Sequence, residues 1–197
     1  MIELAVFDMA GTTVDDHGIV YVALQDAVEE TGAPVAAAFA RFREILAERY
    51  AATPPVALPG VSAAIATLRA RGIKVALTAG FDDDVAYPLL ESLGWSAGAD
   101  TGSTADAVVT TTEVAAGRPA PSMIHHAMEK NGVLNVRNVL AAGDTAVDVQ
   151  AGRNAGGISV GVLTGKLSRD ELAAHSHDYI LTGVVDVPEL AETQFPA

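Results

Sequence analysis

The sequence predicts a doubly wound α/β sheet with parallel strands and a small helical insertion. Three observations predict it. Short apolar runs alternate with segments of helical periodicity. Two helical segments in succession interrupt that alternation after the first run. Aspartates in small, glycine-bearing loops stand at the ends of the first and fourth runs.

Five apolar runs read as buried parallel strands. They are Glu3–Phe7, Lys74–Thr78, Ala107–Thr110, Val139–Ala142 and Ser159–Leu163. Apolar side chains on both faces suit strands covered by helices on both sides. Between them, Val61–Arg71 sets Val61, Ile65 and Leu68 on one helical face. Asp83–Leu93 and Ser122–Asn131 repeat that pattern. Gly72, Gly94 and Gly132 follow, where a left-handed residue is expected to end each helix.

The insertion lies between the first two strands. Val20–Thr31 places Val20, Leu24 and Val28 four apart. Val35–Tyr50 places Val35, Phe39, Phe42, Leu46 and Tyr50 on one stripe, and Gly32-Ala33-Pro34 separates the two helices. Pro54, Pro55, Pro59 and Gly60 form a stiff return. The expected division is a core of residues 1–16 and 58–197 and a helical cap of residues 17–57. The cap is expected above the carboxyl ends of the strands, where an open α/β sheet binds its ligand.

Composition narrows the function. Half of the 197 residues are apolar and 19% are charged, as a packed core requires. The net charge of −13 repels nucleic-acid backbones and anionic membranes, so neither is expected as a partner. An anionic substrate then needs a local positive feature. The absence of cysteine excludes disulfides, thiolate catalysis and zinc–thiolate sites. The opening MIELAVFDMAG lacks the basic start and long apolar stretch of a secretory leader. No run of about 18 apolar residues occurs, so no membrane span is expected. A cytoplasmic location is the resulting expectation.

Two loops carry the candidate chemistry. The first run ends in Asp8-Met9-Ala10-Gly11-Thr12-Thr13, a carboxylate followed by a small, turn-permissive loop. Taken alone, Asp8 also reads as a turn-capping residue. The fourth run ends in Gly143-Asp144-Thr145-Ala146-Val147-Asp148. Neighbouring parallel strands would bring Asp144 and Asp148 toward Asp8. Converging carboxylates repel one another unless a cation joins them, and oxygen-only ligands suit Mg²⁺. Thr145 and Asp148 also have the spacing of a capping box.

Together these motifs resemble the haloacid dehalogenase-like hydrolases, and among them the phosphonatase-like subgroup. That resemblance covers most of the chain. It implies a Rossmann-like core with Asp8 as nucleophile and Thr12 as its companion. It implies Arg118, in Gly117-Arg118-Pro119-Ala120-Pro121, as the family's cation. It further implies a Mg²⁺ site formed by Asp8, the carbonyl of Ala10, Asp144 and Asp148. Gly11, Thr78 and Arg118 are the residues assigned to substrate binding. The implied substrate is a small phosphorylated or phosphonate compound. Asp8 would form an aspartyl-phosphate that water hydrolyses.

Three departures qualify the expected activity. Ala10 stands where ordinary phosphatases of this family carry a second Asp that protonates the leaving group, a step worth about 10²–10⁴-fold. No lysine lies between residues 14 and 60, so the cap amine of true phosphonatases is missing; the lysines are Lys74, Lys130 and Lys166. Gapless matching puts Ala79, not Thr78, at the family's Ser/Thr position. Either the strand register differs by one residue, or that hydroxyl is missing.

Other polar residues read as ordinary surface. Arg41, Arg43 and Arg49 suit a solvated helix face. His125, His126, His175 and His177 suit surface or packing roles, whereas His17 lies at the hinge near the site mouth. Ser168-Arg169-Asp170-Glu171 has capping-box spacing. The alternative to an enzyme is a catalytically weak protein that binds phosphate or a metabolite on the same scaffold. Halide displacement needs no Mg²⁺, and the intact Gly143–Asp148 motif argues against it. A cap this short implies either an open site or a homodimer whose second copy completes the lid.

Overall fold

The computed structural model describes residues 1–32, 35–100 and 102–196; the side chains of Tyr21 and of residues 35–37 lie outside that set. Its centre is strand β1 (Leu4–Asp8), buried along its whole length. Because successive side chains point to opposite faces, Ala5 and Phe7 enter one core, and Leu4 and Val6 enter the other. An unbroken apolar run from Leu4 to Phe7 is therefore what a two-sided sheet demands.

The remaining strands of the sheet are β4 (Lys74–Thr78), β5 (Ala107–Val109), β6 (Val139–Gly143), β7 (Ile158–Val162) and β8 (Tyr179–Leu181). They pair in parallel in the order β5-β4-β1-β6-β7-β8. The order reverses direction at β1, the position at which a doubly wound sheet opens a ligand crevice. In the register, Phe7 stands opposite Leu77 and Ala142, so the loops after β1 and β6 leave the sheet side by side.

All five predicted strands form, within one residue at their ends. β8 was not predicted: it is three residues long and only half-buried, so no apolar run marks it. The helices α3 (Val61–Ala70), α4 (Asp83–Ser92) and α5 (Ser122–Asn131) match their periodic segments. Gly72, Gly94 and Gly132 adopt φ of 80, 66 and 67°, as a left-handed terminus requires. Helix α6 (Ala146–Ala155) starts at the predicted Thr145–Asp148 capping box, and α7 (Arg169–Ala173) at the Ser168–Glu171 box. Helix α8 (Val187–Gln194) closes the fold.

The insertion is a helical hairpin of α1 (Ile19–Thr31) and α2 (Val35–Ala52). A two-stranded antiparallel ribbon, β2 (Val14–Asp15) with β3 (Val56–Ala57), ties its ends together. The ribbon spans the predicted junctions but is too short to announce itself by alternation. In α2, Phe42 and Leu46 are buried, Tyr50 packs partly and Phe39 stays exposed. The side chain of Val35 and the separator residues 33 and 34 lie outside the described residues. Among the described side chains of α1, Ala23 and Ala27 are fully buried, with Val20, Leu24 and Val28 beside them. No helix among the described residues is long and apolar enough to cross a membrane.

Candidate active site

Asp8 ends β1 with its carboxylate buried. The loop behind it is held by its own backbone: the amides of Thr12, Thr13 and Val14 donate to the Met9 carbonyl. Thr13 Oγ1 donates to the Asp8 carbonyl at 3.0 Å. Gly11 adopts φ +83°, and a Cβ there would lie 2.5 Å from Asp144 Oδ2. Gly11 therefore serves both the turn and the close approach of a carboxylate.

Thr12 joins the two loops. Its buried hydroxyl donates to Asp144 Oδ1 at 2.8 Å. Arg118 enters from the loop between β5 and α5, with its Nη1 bridging Asp8 Oδ1 and Asp148 Oδ1. The other oxygen of Asp148 accepts from the Thr145 hydroxyl and from its amide, the latter at 3.0 Å. Both Asp148 oxygens are thus engaged, one locking the start of α6 and one steering Arg118. Asp8, Asp144 and Asp148 each offer an oxygen within 4.8 Å of the others, and all three are buried.

One guanidinium faces three carboxylates. Burial pushes Asp8 well above the ordinary aspartate range; Asp148 and Asp144 add to the rise and Arg118 opposes it. Burial likewise pushes Asp144 up to about 6, with help from Asp148 and against the Thr12 hydrogen bond. For Arg118, burial works against the charge, but Asp8 and Asp148 outweigh it and raise its pKa. The cluster is therefore short of positive charge. Its donors are all oxygen, and Asp144 Oδ2 lies in a gap left by two glycines, Gly11 and Gly165. That donor set fits a hard divalent cation.

The predicted residues Asp8, Ala10, Gly11, Arg118 and Asp144 share one cavity of about 490 Å³. Thr78 does not line it. Its hydroxyl donates to the Phe7 carbonyl at 3.4 Å, and the residue borders a small void under Asp8 and Arg118 instead. His17 lines the cavity at the start of the hairpin, beside Asp15. Arg41 and Arg49 pair with acids of the hairpin itself, Glu30 and Asp26. Arg43 differs from its expected solvated role: it reaches Asp82 and Asp84 of the core at 3.0 and 3.4 Å.

Sequence reasoning missed the loop after β7. Thr164, Gly165 and Lys166 all line the cavity. A readable signal existed, because that loop leaves the carboxyl end of a strand beside β6, where ligands of such sheets bind. It also missed Gly80, whose lack of a Cβ admits Arg118: one there would lie 2.5 Å from Nη2.

Comparison with known proteins identifies the family. The profile of the haloacid dehalogenase-like hydrolases matches residues 32–156. A phosphonoacetaldehyde hydrolase of Bacillus cereus (strain AH187) is 34% identical over 155 residues, 75% of this chain and 54% of that protein. One of Parabacteroides distasonis is 35% identical over 125 residues, 62% of this chain and 43% of its own. The chain spans about half the length of the curated relatives it matches. Among solved structures, a hydrolase from Pseudomonas syringae superposes with a TM-score of 0.81 at 21% identity, covering 97% of this chain and 99% of its own. A phosphonoacetaldehyde hydrolase like protein from Oleispira antarctica gives 0.80 at 20% identity, covering 96% and 91%. At such identities they establish the fold. The chain belongs to the haloacid dehalogenase-like hydrolases.

Proposed function

We propose that this protein is a Mg²⁺-dependent phosphohydrolase that acts through Asp8 on a small phosphorylated or phosphonate substrate. The observation that carries the reading is Arg118 bridging Asp8 and Asp148 while Asp144 completes the carboxylate cluster. Asp8 attacks phosphorus and carries the phosphoryl group until water releases it. Arg118 holds the nucleophile and meets the transferring oxygens with a permanent charge. Asp8, the Ala10 carbonyl and Asp144 would hold the metal, with Asp148 reaching it through water. Bound Mg²⁺ supplies the charge neutralisation that lets one anion approach another. Asp148 positions Arg118, and Thr12 positions Asp144. The helical hairpin of residues 17–57 acts as a small cap over the cavity.

Ala10 shapes the substrate range. With no acid at that position, leaving groups that depart without a proton are favoured. Aryl phosphates should turn over faster than alkyl phosphates. The test is hydrolysis of 4-nitrophenyl phosphate with and without Mg²⁺, beside Asp8→Asn. A metal-dependent rate that the substitution abolishes is expected. Equal rates in all samples refute the reading.

The second reading, binding without turnover, is favoured by Ala10 and by the Thr78 hydroxyl, which is spent on Phe7. Calorimetric binding of phosphate with no detectable hydrolysis would establish it. The acidic, cysteine-free chain suits the cytoplasm. Val22 and Phe39 stand exposed on the hairpin, and Val22 also lines the cavity. They support a homodimer that covers the mouth; a strict monomer in light scattering removes that idea.

A further inference from the structure

With phosphorus held at Asp8, the rest of the substrate must occupy the remainder of the 490 Å³ cavity. Its other walls come from the base of the hairpin, including Gly18 and Val20, and from the loop after β7. Lys166 Nζ lies beside Gly18, 3.3 Å from where a Cβ would stand. The loop after β7 therefore carries an ammonium to the hairpin side of the cavity. Apart from Arg118, it is the only Lys or Arg among the described residues that line this space.

Thr164 adds a donor. Its methyl group is turned toward Gly183, whose Cβ would stand 3.2 Å away. Its hydroxyl is buried with no hydrogen-bond partner among the described residues. A buried hydroxyl without a partner is costly unless a ligand satisfies it. Asp16 accepts from the amides of Gly18 and Val20, and Asp15 from the amide of His17.

We infer that Lys166 and Thr164 are specificity residues, selecting substrates whose leaving group carries a carboxylate. An ammonium and a hydroxyl on one loop match the two oxygens of one carboxylate. The nearby Asp15 and Asp16 disfavour a second phosphate, which would bring a further charge into the same space. The inference rests on the phosphohydrolase reading, because that reading places the phosphoryl group at Asp8.

The test uses two near-isosteric esters, 2-phosphoglycolate and ethyl phosphate. Calorimetry with Mg²⁺ in an Asp8→Asn background measures binding without turnover. The carboxylated ester should bind about 10–100-fold tighter, the worth of a charge-assisted contact. Adding Lys166→Met should bring the two affinities within about threefold, while Lys166→Arg keeps most of the preference. Thr164→Val should remove part of it. No preference in the Asp8→Asn protein, or a preference that survives Lys166→Met, overturns the inference. Turnover by the unmodified protein separates the two readings. A binding preference with no hydrolysis of either ester or of 4-nitrophenyl phosphate removes the enzymatic reading and leaves the recognition intact. Hydrolysis without a preference removes only the recognition.

Discussion

Replacing Gly165 by alanine should disable the site without touching a charged residue. After β7 the chain turns back past the Asp144 carboxylate. A Cβ on Gly165 would lie 1.9 Å from Asp144 Oδ2 and 2.6 Å from its Cγ. Real Cβ contacts essentially never fall below 3.0 Å, so the carboxylate or the loop must move by about 1 Å. Asp144 cannot move freely, because Thr12 holds its other oxygen at 2.8 Å. A shift of about 1 Å in a catalytic group costs on the order of 10²-fold in rate. Overpacking of this kind costs about 1–3 kcal/mol of stability. The assay is kcat/KM on 4-nitrophenyl phosphate across a Mg²⁺ titration, with urea denaturation alongside. Gly165→Ala should lower kcat/KM by about 100-fold and raise the half-saturating Mg²⁺ by about 10–100-fold. Gly102→Ala, with nothing within 4 Å of its Cβ, should change neither. A Gly165→Ala protein with the parent's kcat/KM and metal dependence refutes the reasoning.

Three further outcomes are expected. Thr12→Val removes the donor to Asp144 Oδ1 and should weaken Mg²⁺ binding by about 10–100-fold, read by calorimetry; an unchanged affinity denies Thr12 its positioning role. Asp106 accepts from the Val75 amide, Arg69 and Lys74, and although burial pushes the other way these donors hold its pKa below 3.8. Its contribution is thus full above that unfolded value and lost as pH falls through the lower folded one. Asp106→Asn should cost about 2–4 kcal/mol at pH 7 and progressively less as the pH falls below the unfolded value, by urea denaturation; a cost that does not fall with pH refutes the assignment. Arg43→Ala breaks the bridge from α2 to Asp82 and Asp84, yet Arg43 is 40% exposed, so the stability loss should stay below about 1 kcal/mol in the same assay. A loss above about 2 kcal/mol would mean that this contact holds the hairpin on the core.

What the sequence disclosed follows from the length scale of each signal. β1 and β6 are continuous apolar runs because both faces are covered, so they were legible. β8 and the β2–β3 ribbon are two or three residues long, below any period. The carboxylates at 8, 144 and 148 were legible because their loops follow the strands that pairing makes neighbours. Arg118 was legible only through family resemblance. Its Asp8 partner is 110 positions away, and no local pattern ties a loop arginine to it. Arg43 looked like a solvated helix residue for the same reason: its partners lie 39 and 41 positions away on the core. The direction of the Thr78 hydroxyl depends on strand register and rotamer, which composition does not encode.

The glycines of the site reveal a constraint that motif reading conceals. Gly11 has a turn geometry that favours glycine, but Gly80, Gly143 and Gly165 are not among the positive-φ residues. Their role is space. A Cβ at Gly80 would strike Arg118, one at Gly143 would lie 2.3 Å from Asp148 Cγ, and one at Gly165 would strike Asp144. A buried guanidinium and buried carboxylates attract strongly enough to offset desolvation only at close range. Side chains reach that range only where the facing backbone carries nothing. Arg118, Asp144 and Asp148 therefore each face a glycine that leaves room for them. The charge cluster and its glycines form one packing unit, in which an added methyl group displaces a charged side chain.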